Sequence, residues 1–201
     1  MTRRVIGILG GSFNPVHNGH LMLASYIAQF GPVDEVWLNL SPQNPFKEQS
    51  ELLDDRHRLA MLDKAVNGST TVNVCDVELS LPQPSYTINT MEKLESMYPD
   101  CGFRIIIGSD NWPRFPEWRD SEALIERYGL IVYPRRDYPL PDIVPDNVTV
   151  VDAPMVDISS TFIRECIAEG RDMNFFMPPQ VYEYIERNKL YKNDGKQYGI
   201  E

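Results

Sequence analysis

The chain has 201 residues, 42% of them hydrophobic and 24% charged, which suits one well-buried globular core and is short for two independent domains. With 29 acidic and 19 basic residues its formal net charge is −10, a poor match for duplex nucleic acid, whose phosphates reward basic surfaces. No apolar run approaches the ~18 residues of a membrane span, and strand-like sequence begins at Val5 with no signal segment before it, so a cytoplasmic protein that partners neither membrane nor nucleic acid is expected.

The first element in chain order is an apolar, β-branched strand, Val5–Leu9. It runs into the glycine turn Gly10-Gly11-Ser12-Phe13-Asn14-Pro15-Val16-His17-Asn18-Gly19-His20. Leu21, Leu23, Ala24, Ile27 and Ala28 then recur at helical spacing until Gly31-Pro32 breaks the pattern. Glu35–Leu40 reads as a second strand, followed by the proline-punctuated loop Ser41–Lys47. Asp54-Asp55 can open a helix whose apolar positions are Leu59, Leu62, Ala65 and Val66. A strand at Thr71–Cys75, a loop at Leu81–Ser85 and a helix over Thr87–Met97 follow. Phe103–Ile107 is the most strand-like run of the chain and stops at Gly108-Ser109-Asp110.

A tryptophan- and proline-rich stretch, Asn111–Arg119, precedes a short helix over Ser121–Arg127 and a strand at Gly129–Tyr133. Residues 134–147 read as an irregular loop and Val148–Val151 as the last strand. Asp157–Thr161 starts a helix carrying Phe162, Ile163 and Ile167, and Pro178-Pro179 opens a final one over Gln180–Asn188. Strands alternating with helices predict an α/β fold with a parallel sheet covered on both faces. In such sheets ligands bind beyond the carboxyl ends of the strands. Cys75, Cys101 and Cys166 are odd in number and widely spaced, which suggests neither a disulfide framework nor a zinc site.

The glycines after the first strand lack the Gly-x-Gly-x-x-Gly spacing of a dinucleotide fingerprint, and no Gly-Lys-Ser/Thr phosphate loop is present. His17 and His20 are open to three readings: metal ligands, ordinary histidines near a helix cap, or donors to a phosphate held at a helix start. A metal would need a third ligand, and the one other histidine, His57, lies in Asp-Asp-Arg-His-Arg, which reads as a solvated helix start. A helix N-terminus with two imidazoles one turn apart suits phosphate oxygens. Ser159-Ser160-Thr161-Phe162-Ile163-Arg164 is a second helix start; simple N-capping would explain its serines, while Arg164 so early in a helix opposes the dipole unless an anion lies beside it. Lys47 gains interest from its place after a strand, and Trp112 and Trp118 can supply a flat wall for a ring.

The stretch Gly10–His20 resembles the Gly-Gly-Thr-Phe-Asp-Pro-x-His-x-Gly-His signature of the nucleotidyltransferase superfamily, and Ile158–Arg164 resembles its second signature. Pro84–Thr90, Ile107–Asp110, Phe115–Trp118 and the closing Pro179-x-Val181-x-x-Tyr184-Ile185 are similar to the bacterial nicotinate-nucleotide adenylyltransferases. The resemblance implies a Rossmann-like doubly wound parallel sheet in one domain over residues 1–201, with a small C-terminal helical part at about 157–201. It implies ATP and nicotinate mononucleotide as substrates, nicotinate adenine dinucleotide and pyrophosphate as products, Mg²⁺ on the phosphates, and a place in NAD biosynthesis; a homo-oligomer is compatible with it.

By the same resemblance His17, His20, Lys47 and Arg164 are the catalytic set. Gly10, Gly11, Ser12, Phe13, Ser159, Ser160 and Thr161 hold the ATP phosphates. Asn14, Thr87, Asp110, Trp118 and Arg119 lie on the mononucleotide side, with Asp110 at the ribose or metal, Thr87 and the backbone after Trp118 at the pyridine carboxylate, and the Trp118 indole on the ring. Ser12 and Asn14 are mild departures from the signature. Phe46 stands where the family often has histidine, so contacts of that third imidazole are missing.

Overall fold

A computed structural model describes residues 3–42 and 52–192. Six parallel strands, β1 (Arg4–Gly11), β2 (Glu35–Leu40), β3 (Val72–Cys75), β4 (Cys101–Gly108), β5 (Leu130–Tyr133) and β6 (Val148–Val150), form one sheet in the order β3-β2-β1-β4-β5-β6. The strands read as continuous apolar runs because both faces are covered, and residue parity divides each run between two cores. Ile6 and Ile8 of β1, Phe103, Ile105 and Ile107 of β4, and Leu130 and Val132 of β5 bury on one face. Leu9, Val36, Leu38, Leu40, Ile106 and Ile131 bury on the other.

The first of these faces is covered by α3 (Thr87–Met97) through Ile88, Met91 and Leu94, and by α4 (Ser121–Arg127) through Leu124. The opposite face takes α1 (Asn18–Phe30), α2 (Asp55–Val66), α5 (Ser160–Ala168) and α6 (Pro179–Asn188), which contribute Ala24 and Ile27, Met61 and Leu62, Ile163 and Ile167, and Val181 and Ile185. The chain winds outward from β1 to β3 on one side, then returns with β4 to the other side of β1. The carboxyl ends of β1 and β4 therefore flank the crevice at which such sheets bind ligands. No helix among the described residues is long and apolar enough to cross a membrane.

Helix and strand positions follow the periodicity of the sequence closely, with α3 and α4 on the expected residues and α6 starting one residue earlier, at Pro179. The tryptophan- and proline-rich stretch is more ordered than its composition suggests, for Trp112–Glu117 forms a 3₁₀ helix. Val77–Ser80 and Asn174–Phe176, which hold no proline, form two more. Proline fixes φ near a helical value and has no N–H to leave unpaired, so Pro113 suits the first turn of Trp112–Glu117.

The start of α2 corrects the sequence reading. Arg56 is solvated and pairs with the N-cap residue Asp54, but Arg58 is completely buried, and His57 is half-buried with Nδ1 2.9 Å from the Tyr184 hydroxyl of α6. The Arg58 guanidinium donates to the carbonyls of Ser12 (2.7 Å), Ser41 (2.9 Å) and Leu53 (2.9 Å) and pairs with Asp55. Burial of this cation is compensated by carbonyls from three separate segments, an arrangement that only the folded chain assembles.

Candidate active site

The turn between β1 and α1 is held from several directions. Phe13 takes a left-handed φ of 43° and buries its ring, which meets His20 edge-on at 5.0 Å. A Cβ on Gly11 would lie 3.0 Å from the Phe13 ring, so glycine there lets the ring fold back over the strand end. Asn14 is buried as well, and its Oδ1 accepts from the Leu53 N–H and the Tyr191 hydroxyl, so that oxygen serves the loop's own architecture.

His17 is the N-cap residue of α1, and no acidic side chain occupies the first turn. Its backbone N–H donates to Nδ1 of His20 (3.3 Å), and the two imidazoles stack with centroids 3.7 Å apart. His17 is buried, and its Nδ1 has no hydrogen-bond partner among the described residues. Burial, with the Arg135 guanidinium nearby, pushes the His17 pKa down to about 4. Burial, the neighbouring His17 and then Arg135 hold His20 well below the ordinary histidine value. Both rings are thus neutral at pH 7, and in His20, where Nδ1 is an acceptor, the proton sits on Nε2.

The second helix start lies directly against this turn, 145 residues on in sequence. Ser160 Oγ donates to the Pro15 carbonyl (2.9 Å), and Arg164 Nη1 donates to the Asn14 carbonyl (2.9 Å) while Nη2 reaches Thr161 Oγ1 (3.4 Å). Ser159 caps α5 by accepting from the Phe162 N–H at 3.1 Å, the plain capping role. Ser160 and Arg164 join the two signatures into one structure, and the α5 N-terminus carries no acidic residue in its first turn.

On the β4–β5 side, Ser109 N–H donates to the Tyr133 carbonyl, and Ser109 Oγ accepts from the Arg135 N–H (2.9 Å). Arg135 Nε lies 3.7 Å from Asp110 Oδ1. A Cβ on Gly108 would fall 2.8 Å from Arg135 Cγ, so glycine permits this close approach. Arg135 was not among the residues singled out from sequence. Its signal is the one that drew attention to Lys47, a cation just past a strand end, here hidden in a proline-rich loop. Lys47 itself and the rest of residues 43–51 lie outside the described residues.

Between β1, β4 and α3 lies a cavity of about 390 Å³. Gly10, Gly11 and Ser12 border it at one end; Thr87, Trp118 and Arg119 border it elsewhere, and Ile8, Met91 and Ile105 supply apolar wall. Trp118 is half-buried against Phe115 at 5.1 Å, and the Arg119 guanidinium covers the Tyr86 ring at 4.9 Å. Thr87 opens α3, whose N-cap makes no side-chain hydrogen bond and whose first turn has no acid. A carboxylate there would meet unpaired N–H groups and the positive end of the helix dipole.

Acid-free helix starts at α1 and α5, joined through the glycine turn, with an aromatic cavity that runs from that turn to the acid-free start of α3, make a place for anionic nucleotides. The cytidylyltransferase-like family model matches residues 8–166. A Bacteroides fragilis protein named as a probable nicotinate-nucleotide adenylyltransferase is 45% identical over 186 residues, covering 92% of each chain. The chain belongs to this family. A Flavobacterium johnsoniae relative of the same name is 43% identical over 195 residues, 93% of this chain and 98% of that one. The fold is shared with the Plasmodium falciparum nicotinic acid mononucleotide adenylyltransferase complexed with NaAD, at a TM-score of 0.76 and 21% identity over 94% of this chain and 97% of the other. As a cytidylyltransferase-like protein the chain has the doubly wound parallel sheet and helical C-terminal segment that its signatures imply; α6 packs against α2, and Tyr191 reaches back to Asn14.

Proposed function

We propose that the chain transfers the adenylyl group of ATP to the phosphate of nicotinate mononucleotide, releasing pyrophosphate and forming nicotinate adenine dinucleotide. The observation that carries this reading is the pairing of a neutral, stacked His17–His20 platform at the α1 N-terminus with an aromatic cavity that ends at the uncapped start of α3.

The nucleophile is a phosphate oxygen that is already anionic, so no general base is needed. It forms a bond to the α-phosphorus of ATP as the bond from that phosphorus to the bridging oxygen of pyrophosphate breaks. Catalysis then rests on placing two anions together and stabilising the charge that spreads over the transferred group. Neutral imidazoles suit this role, because His20 offers an Nε2–H donor without having to release a proton. The α1 N-terminus adds its N–H groups, and Arg135 supplies the positive charge; Arg164 and the α5 N-terminus serve the far end of the triphosphate. Lys47 is assigned to the same phosphates on sequence grounds alone.

Among the described residues no group of three or more His, Cys, Asp or Glu side chains could cage a metal ion. The donor set fits Mg²⁺ as a companion of the triphosphate, with the half-buried Asp110 carboxylate as the protein's oxygen ligand. Bound there, the ion would neutralise phosphate charge. Pyrophosphate release with ATP and either nicotinate or nicotinamide mononucleotide tests the reading. A much higher kcat/KM for the acid is expected; equal values overturn the nicotinate assignment, and no release with either overturns the transfer.

A further inference from the structure

Two residues that line the cavity, Asn39 near the end of β2 and Thr90 in α3, each bury a polar atom that no group in the described protein satisfies, Asn39 Oδ1 and Thr90 Oγ1. Both residues are only 3% exposed. Such atoms are rare in native proteins because each costs the desolvation of a hydrogen-bonding group. Two of them lining one cavity indicate a wall built for a ligand with polar hydrogens rather than for a bare ring.

The direction of the Asn39 amide is not free. Its Nδ2 donates to Glu78 Oε2 at 2.6 Å. The same carboxylate accepts from Ser41 Oγ (3.1 Å) and, through Oε1, from Ser85 Oγ (2.6 Å). A reversed amide would set oxygen against carboxylate oxygen at that distance, so Glu78 obliges Asn39 to present its carbonyl oxygen, an acceptor only. Glu78 sits in the 3₁₀ helix Val77–Ser80 and ties the exit of β2 to the loop that enters α3, so both walls of the cavity depend on it.

Resting on the proposed function, the ligand is nicotinate mononucleotide. Its carboxylate and phosphate are acceptors at neutral pH, and its pyridinium ring has no N–H. The ribose hydroxyls are its only strong donors. We infer that Asn39 is a specificity-determining residue whose carbonyl oxygen accepts a ribose hydroxyl of the mononucleotide, and that Glu78 is the positioning residue that fixes the amide for this purpose.

The test compares nicotinate mononucleotide with its 2′-deoxy and 3′-deoxy analogues, by calorimetric binding and by pyrophosphate release. In the wild type one analogue is expected to lose about 10- to 100-fold, the scale of a buried acceptor left unmatched, and in Asn39→Leu that discrimination should collapse to within about twofold. Asn39→Asp faces two carboxylates across the Glu78 contact and should raise KM for the mononucleotide with KM for ATP unchanged. Glu78→Gln combined with Asn39→Asp exchanges donor and acceptor across the same bond, keeps an oxygen toward the cavity, and should restore both KM and the hydroxyl discrimination. Equal binding of all three ligands to the wild type overturns the inference, as does discrimination that persists in Asn39→Leu. Hydroxyl-selective binding without pyrophosphate release would sustain it while overturning the proposed transfer.

Discussion

The backbone N–H of His17 donates to Nδ1 of His20, and this one bond decides which nitrogen of His20 can face a phosphate. With Nδ1 engaged, the remaining proton sits on Nε2, and burial keeps the ring neutral. His20→Ala removes a charge-stabilising donor and should lower kcat by about 10²–10³. His20→Gln, whose amide N–H reaches roughly where Nε2–H stood, should retain more activity than His20→Ala. Pyrophosphate release at saturating substrates measures both, and unchanged kcat in His20→Ala would remove the assigned role.

Folding should weaken in mild acid because of the same pair. The folded-state pKa of His17 is about 4 against an ordinary 6.5, so between those values the unfolded chain binds more protons. Stability contributed by this group is full above about pH 6.5 and declines as pH falls toward 4, by roughly 3 kcal/mol in all. Urea denaturation at pH 7.5 and pH 5 should show the drop, and His17→Gln should flatten it. Bound triphosphate favours a protonated His17, whose Nδ1 is unsatisfied, so ATP binding near pH 6 should take up protons, visible as a dependence of the calorimetric heat on buffer ionisation enthalpy.

Much of the fold can be read from periodicity, and the reason is visible in particular segments. Glu35–Leu40 became β2, Thr87–Met97 became α3 and Ser121–Arg127 became α4, because pattern and flanking breakers agree in each. The site was legible where a motif is contiguous, as in Gly10–His20. It was not legible where function depends on distant segments meeting. Arg58 looks like one more charge at a helix start until Ser12, Ser41 and Leu53 bring their carbonyls to it. Asn39 and Glu78 carry no local signal, since their meaning is a hydrogen bond across 39 residues. Ser159 and Ser160 are adjacent and alike in sequence, yet one caps its own helix and the other grips Pro15.

Arg58 offers a stability test separate from the chemistry. Truncation to alanine would take the guanidinium from the carbonyls of Ser12, Ser41 and Leu53 and leave a cavity where that fully buried group stood, so a loss of about 3–5 kcal/mol is expected. Arg58→Lys keeps a donor but cannot span three acceptors, and should fall between the wild type and Arg58→Ala. Because the Ser12 carbonyl is one of the anchors, KM for ATP should rise in Arg58→Lys even where the protein remains folded. Chemical denaturation and steady-state kinetics on the same samples separate the two effects.

The choice between acid and amide should lie with Thr87. It is the first residue of α3, it borders the aromatic cavity, and no acidic side chain competes for the helix start behind it. A hydroxyl and the N–H groups of a helix's first turn are donors, which a carboxylate satisfies fully and a carboxamide only through its oxygen; the amide's own N–H₂ would face further donors. Thr87→Val keeps shape and branching while deleting the hydroxyl. Its kcat/KM for nicotinate mononucleotide should fall about tenfold or more, and its kcat/KM for the nicotinamide analogue should change little. If Thr87→Val lowers both substrates equally, the hydroxyl serves packing of α3 rather than recognition, and the preference must come from the Trp118–Arg119 side of the cavity.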